Sequence, residues 1–145
     1  MKVDFWQLSR DPVERVVAMI AQRVMENGER LLVVSDDAAM REKISKSLWE
    51  TAPEAFLANG NADDAHAQLQ PILLSDQCAA PNGASHIIFA DGLWRSDAAG
   101  FDRSFLLFGE ATLDAARSCW RSLDAAENLE RNFYRQDQGK WVKVA

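Results

Sequence analysis

Three side chains near the end of the sequence, Arg117, Trp120 and Arg121, have the types and spacing needed to bind an anionic peptide. Residues three or four positions apart share one face of a helix, so two guanidinium groups would flank an indole ring. Arginine binds carboxylates through paired hydrogen bonds, and an adjacent aromatic ring can pack an apolar side chain. The pattern predicts a site for an acidic peptide that ends in a hydrophobic residue and a free carboxylate. A solvated helix face with Trp120 in the core is the open alternative.

Large apolar side chains on either side of a predicted helix break form a second candidate site. Trp49 ends a predicted helix, and Phe56 follows Pro53, which breaks it. Clustered aromatic groups of this kind are typical of a protein contact patch. Burial of Trp49 and Phe56 in the core is the alternative interpretation.

Carboxylates follow two predicted strands and offer a third candidate. Asp36 and Asp37 come after one buried strand and Asp91 after another. Parallel sheets bind ligands at the carboxyl ends of their strands. Three carboxylates there could hold Mg²⁺ and accept a phosphoryl group, as in response-regulator receiver domains. The alternative is a helix cap and a turn, and Gly109-Glu110 stands where a receiver would place a lysine.

Other signatures of catalysis are missing from the sequence. It has neither the glycine motif of dinucleotide sites nor that of triphosphate sites, and no nucleophile-elbow motif. His66 and His86 lack partners at metal-ligand spacing. Cys78 and Cys119 lie far apart and are expected to be reduced and structural. We therefore expect no catalytic residue, no metal and no cofactor.

Composition favours one ordinary domain over residues 1–145. The chain is 48% hydrophobic and 26% charged, as in soluble globular proteins. It has no apolar run near the roughly 18 residues of a membrane span and no signal-peptide core at its start, so a cytoplasmic protein is expected. Its net charge of −6 argues against broad contact with a nucleic-acid backbone.

Hydrophobic patterning places the candidate residues on an α/β framework. The four apolar residues Leu31 to Val34 are typical of a strand that is buried on both faces of a parallel sheet. Asp11 is expected to cap the first helix, and residues 54–70 are expected to form a loop. The sequence thus predicts a three-layer helix-sheet-helix fold with a mostly parallel central sheet and antiparallel edges. Further strands are predicted at 3–8, 71–74, 86–91 and 105–108, helices at 13–28, 38–49 and 111–126, and a C-terminal edge hairpin at 133–136 and 140–144.

An ordered set of short motifs covers almost the whole chain and resembles the chi subunit family of bacterial DNA polymerase III. No single motif is diagnostic, but their order is specific. The motifs are Val3-Asp4-Phe5-Trp6-Gln7-Leu8, residues 28–34, Leu48-Trp49, Pro53-Glu54-Ala55-Phe56, Pro71-Ile72-Leu73-Leu74, Asn82-Gly83, Ala116-Arg117, Trp120-Arg121 and Gly139-Lys140-Trp141.

The resemblance implies a non-enzymatic accessory subunit of the clamp-loader assembly, with a nucleotide-binding-like fold that lacks a nucleotide site. Its implied partners are the psi subunit and the acidic C-terminal tail of single-stranded-DNA-binding protein, with nucleic acid contacted only indirectly. By motif, the tail pocket would comprise Arg117, Trp120 and Arg121, with Phe108 as a wall. Trp49 and Phe56 would contact psi.

The chain departs from the family pattern at the start of the last helix. Leu113 and Asp114 occupy a region where family members often carry further basic side chains. Arg131 and Arg135 are candidates to supply that charge, and the sequence leaves open whether either lies near the pocket.

Overall fold

The computed structural model describes residues 1–50, 57–125, 128–137 and 140–145. None of the helices in this part of the chain is long and apolar enough to cross a membrane. Strands and α-helices follow in the order β1 (Lys2–Gln7), α1 (Val13–Glu26), β2 (Leu31–Val34), α2 (Ala38–Glu50), β3 (Asn59–Asn61), β4 (Ile72–Ser75), β5 (His86–Phe89), β6 (Arg103–Phe108), α3 (Leu113–Ser122), β7 (Glu130–Asp137) and β8 (Lys140–Lys143).

The strands form one eight-stranded sheet in the order β3-β4-β2-β5-β6-β1-β7-β8. Six of the seven neighbouring pairs that the structure describes are parallel, and among them only β7 and β8 pair antiparallel. The mostly parallel sheet is confirmed, and so is the C-terminal hairpin at one edge. The opposite edge, β3, is parallel rather than antiparallel.

Strand β2 is buried on both faces, as its apolar run predicts, and it divides the core in two. All four of its residues have no exposed surface. Leu31 and Val33 belong to the cluster that contains the buried residues of α1 and α2. Leu32 and Val34 belong to the cluster that contains the buried residues of α3. Side chains alternate across a strand, so the two halves of the core pack against opposite faces of β2.

A buried polar group holds β1 between its two neighbours. Asp4 is fully buried and accepts hydrogen bonds from Arg103 of β6, one of them from Nε at 2.9 Å. Its second carboxylate oxygen accepts a hydrogen bond from Asn132 of β7 at 3.0 Å. A buried carboxylate needs such partners, so the three strands beneath α3 are tied into one register.

Two local features differ from the sequence prediction. Asp11 does not cap α1, because Pro12 holds the N-cap position, and the carboxylate instead accepts a hydrogen bond from Gln136 at 2.7 Å. Strand β3 lies within the predicted loop. It has no apolar alternation, and the buried amide of Asn59 anchors it by donating to the Leu57 carbonyl and accepting from Ser45 at 2.6 Å.

Candidate functional site

Helix α3 exposes Arg117 and Arg121 to solvent and places Trp120 at the boundary between the core and the surface. It is joined to β6 by Gly109 and a 3₁₀ turn, Glu110–Thr112. Ala116 and Cys119, three positions apart, are the buried residues of α3 and pack on the sheet. Burial raises the pKa of the Cys119 thiol to about 11, so this thiol stays protonated at neutral pH.

The exposed side of α3 and the end of the β7–β8 hairpin enclose a cleft of about 260 Å³. Arg117 and Arg121 are exposed and Trp120 is half-buried. One residue of β7 and two residues that follow β8 complete the lining. The structure therefore brings the three predicted residues of α3 together in one cleft, whose lining is Arg117, Trp120, Arg121, Phe133, Val144 and Ala145.

An aromatic cluster fixes the position of Trp120. Its ring centroid lies 5.1 Å from that of Phe5, at 77° between the ring planes, and 5.9 Å from that of Phe133, at 82°. Aromatic pairs favour this edge-to-face geometry. One side of the indole thus packs in the core, and another side lines the cleft. The two interpretations of Trp120, as a binding residue and as a core residue, each describe part of its position.

Phe108 does not form the wall of this cleft, so the sequence prediction for it is corrected. It is almost completely buried and is absent from the cleft lining. Its ring packs against Phe133 at 5.6 Å and Phe5 at 6.5 Å. Phe133 supplies the wall instead. Sequence analysis missed Phe133 because its place beside α3 depends on the pairing of β7 with β1, which no local pattern predicts.

Arg131 packs against the Trp120 indole, and a carboxylate already neutralises its charge. Its guanidinium carbon lies 4.3 Å from the Trp120 ring centroid, and the group donates a hydrogen bond to the Trp120 carbonyl. It also pairs with Asp124 at 2.7 Å. Arg135 is exposed on β7 opposite Val142 and does not line the cleft. Neither residue adds free charge to the lining.

Arg117 and Arg121 keep their charges available. Among residues 1–50, 57–125, 128–137 and 140–145, no carboxylate forms an ion pair with either guanidinium. Arg121 makes one long contact, 3.5 Å to Ser118 Oγ. Two exposed guanidinium groups beside an apolar cleft can bind an anion through charge-assisted hydrogen bonds.

The second candidate patch is described at Trp49 only, since Phe56 lies outside the described residues. Trp49 is 53% exposed near the end of α2, whereas its neighbour Leu48 is fully buried. The indole borders a groove of about 550 Å³ that runs along α2 toward β3. This groove is lined by Ala38, Arg41, Glu42, Ser45, Lys46, Trp49, Asn61 and Asp63.

The carboxylates at the strand ends hold an arginine. Arg95 makes two hydrogen bonds to Asp91, at 3.1 and 2.8 Å, and an ion pair to Asp36 at 3.1 Å. Asp37 accepts a hydrogen bond from the backbone N–H of Ala39 at 2.9 Å and so caps α2. Within the part of the chain that the structure describes, no group of three or more potential ligands could hold a metal ion. The receiver interpretation is not supported, because the guanidinium lies between the two carboxylates.

The Asp91–Arg95 pair makes stability depend on pH. Burial opposes ionisation of Asp91, but the hydrogen bonds and charge of Arg95, with the backbone N–H groups of Asp36 and Leu93, outweigh it and lower the pKa of this carboxyl. A lowered pKa in the folded state stabilises the fold above the unfolded-state pKa of about 3.9. That contribution is lost as the pH falls through the folded-state pKa.

We expect Asp91→Asn to lower the free energy of unfolding at pH 7 by roughly 1.5–3 kcal/mol, the range for hydrogen bonds to charged groups. The deficit should shrink as the pH falls below about 4, first because the carboxyl of the unfolded wild-type chain becomes protonated, and then because the folded chain's carboxyl does so at its lowered pKa. Urea unfolding between pH 7 and 3 measures this. Asp36→Asn is the control: this side chain is 66% exposed, against 10% for Asp91, so its loss should cost under about 1 kcal/mol. Equal, pH-independent losses for the two variants would contradict the assignment.

Comparison with known proteins establishes the family. Residues 1–130 match the family model described as DNA polymerase III chi subunit, HolC. The chain belongs to this family. It is also 22% identical over 74 residues to a protein of Rickettsia prowazekii (strain Madrid E) named "Probable DNA polymerase III subunit chi". That alignment covers 51% of this chain and 45% of the relative, so the chain matches about half of the relative's length.

The segment that matches the chi family contains only one side of the cleft. Arg117, Trp120 and Arg121 lie within residues 1–130. Phe133, Val144 and Ala145, which line the opposite side, come after that segment. The resemblance read from the sequence motifs is confirmed at the level of the family.

Proposed function

We propose that this chain is a non-catalytic accessory subunit of the replicative DNA polymerase III, and that its α3 cleft binds the acidic C-terminal tail of single-stranded-DNA-binding protein. One observation carries the proposal. Arg117 and Arg121, neither paired with a described carboxylate, flank the half-buried Trp120 beside an apolar cleft. Membership of the chi family supports the replication role.

The proposed mechanism divides recognition between charge and apolar contact. The two guanidinium groups would donate charge-assisted hydrogen bonds to carboxylates of the tail. The last apolar side chain of the tail would pack on the indole within the cleft. The arginines are exposed, so the affinity should fall as salt increases.

Retention of single-stranded-DNA-binding protein on the immobilised chain tests the proposal. The intact protein should be retained at low salt, and a form that lacks its last residues should not. Equal retention of both forms would contradict a tail-specific site. If neither form is retained at low salt, the proposed interaction is contradicted altogether.

We also propose that Trp49 contacts the psi subunit and thereby tethers the chain to the clamp loader. A half-exposed tryptophan is the kind of side chain that anchors protein interfaces. Its position at the end of the α2 groove, remote in sequence from α3, supports a site separate from the cleft.

Trp49→Ala should weaken psi binding by about 2 kcal/mol or more, the range of an interface anchor, and leave tail binding unchanged. Co-purification with psi and a tail-peptide titration measure the two effects. Leu69→Ala is the matched control, because Leu69 is 65% exposed and lies outside the α2 groove. Wild-type yield of psi with Trp49→Ala would remove the assignment.

The remaining features of the proposal concern the whole molecule. We propose one chi-like domain over residues 1–145 with three layers and a nucleotide-binding-like topology that lacks a nucleotide site. We propose that it acts in the cytoplasm and contacts nucleic acid only through its partners. The net charge of −6 supports indirect rather than direct contact with DNA.

A further inference from the structure

The cleft has two walls that come from different parts of the chain. Helix α3 supplies the first wall, with Arg117, Trp120 and Arg121. The second wall consists of Phe133 from β7 with Val144 and Ala145, which follow β8. The match to the chi family ends at residue 130. The second wall therefore lies entirely in the part of this chain that the family match does not cover.

Backbone hydrogen bonds hold the second wall in place. The N–H of Val144 donates to the Phe133 carbonyl at 2.7 Å, and the N–H of Phe133 donates to the Ala145 carbonyl at 3.0 Å. These bonds continue the β7–β8 ladder past Lys143. The Val144 side chain is not needed to form them, so it remains available for contact with a ligand.

The Val144 side chain borders the cleft without being covered by the rest of the protein. It is 50% exposed, although it lies beside Phe133 in the lining. Val142, two residues earlier and on the same side of the ladder, is 43% exposed but does not line the cleft. The two valines differ chiefly in their position relative to the cleft.

The two walls carry different kinds of recognition. Positive charge is confined to the α3 wall, whereas the second wall contributes a phenyl ring and aliphatic groups. A volume of about 260 Å³ is below the roughly 300–1,000 Å³ of sites for drug-sized ligands. The cleft is thus matched to one large side chain beside a carboxylate, rather than to a longer stretch of peptide.

We infer that Val144, backed by Phe133, is a specificity residue that selects a large apolar side chain at the end of the bound acidic tail. This inference rests on the proposed function of the cleft. The arginines would bind the tail's negative charge whatever its last residue is. Contact with Val144 would favour a large last side chain, because removing more apolar surface from water stabilises the complex further.

A double-mutant cycle tests the inference. Two synthetic acidic peptides, identical except for a terminal phenylalanine or alanine, are titrated by fluorescence anisotropy at low salt, where both affinities can be measured. Val144→Ala should weaken binding of the first peptide about fivefold, which is about 1 kcal/mol, and leave binding of the second within about twofold. Val142→Ala is the matched control and should change neither affinity. Both valines are exposed, so circular dichroism should be unchanged.

The possible outcomes separate the two hypotheses. Selective loss for the phenylalanine peptide with Val144→Ala alone supports the inference. Equal losses for both peptides, or the same loss with Val142→Ala, would overturn it while leaving the proposed tail binding in place. Failure of the wild-type chain to bind either peptide would overturn both.

Discussion

Arg117→Ala should weaken binding of the acidic tail peptide roughly 10–100-fold while leaving the fold intact. The guanidinium is exposed at the cleft and has no described carboxylate partner, so its removal costs the fold little. A hydrogen bond to a charged group contributes about 1.5–3 kcal/mol. Loss of that interaction raises the dissociation constant roughly 10–100-fold. Fluorescence anisotropy with a labelled peptide measures the change.

The salt dependence of binding and two further variants test whether the loss of affinity comes from the Arg117 guanidinium. The wild-type affinity should fall as salt rises, and the residual affinity of Arg117→Ala should fall less steeply, because fewer charges take part. Arg117→Lys should recover only part of the affinity, since lysine lacks the planar fork that matches a carboxylate. Arg23→Ala removes an exposed arginine from the last turn of α1 and should have no effect. Unchanged peptide affinity in Arg117→Ala would refute the site.

Phe5→Ala should lower the free energy of unfolding by about 3–5 kcal/mol, the usual cost of removing a buried phenylalanine. Phe5 is fully buried in β1. Its ring contacts those of Phe108, Trp120 and Phe133, with centroids 6.5, 5.1 and 6.5 Å away. The cavity would open directly beneath the indole. Urea unfolding, followed by tryptophan fluorescence, measures the loss of stability.

A conservative variant controls for the general cost of changing a core residue. Phe5→Leu keeps much of the volume and should cost roughly 1–2 kcal/mol. The change in the unfolding midpoint should occur without a change in the denaturant slope if the effect is one of stability alone. A loss below about 1 kcal/mol for Phe5→Ala would contradict the proposed anchoring of Trp120.

The features whose placement the sequence predicts each depend on a single element. Arg117, Trp120 and Arg121 share one side of α3 because helical periodicity alone places them there. The buried strand at Leu31–Val34 follows from a continuous apolar run. Such patterns can be recognised without knowing which other elements pack against the segment.

The parts that the sequence misassigned depend on contacts between elements. Phe108 and Phe133 are both aromatic residues in predicted strands, and only the packing order shows that one is buried behind the other. The sequence predicts that Asp36, Asp37 and Asp91 gather at the strand ends, but Asp37 caps α2 and only the other two share a partner. Nothing in their spacing indicates that Arg95 lies between Asp36 and Asp91. Strand β3 has no alternation of apolar and polar residues, so its pairing with β4 cannot be predicted from the sequence.

The amino-acid sequence alone predicts the α/β class, the mostly parallel sheet, the family and the common helix face of Arg117, Trp120 and Arg121. These follow from periodicity, composition and ordered motifs, which are properties of short segments. The position of the C-terminal hairpin opposite α3 follows from the folded chain and from no sequence pattern. That outcome depends on β7 pairing with β1 beneath α3, and such a pairing is set by the packing of the whole sheet rather than by any local pattern.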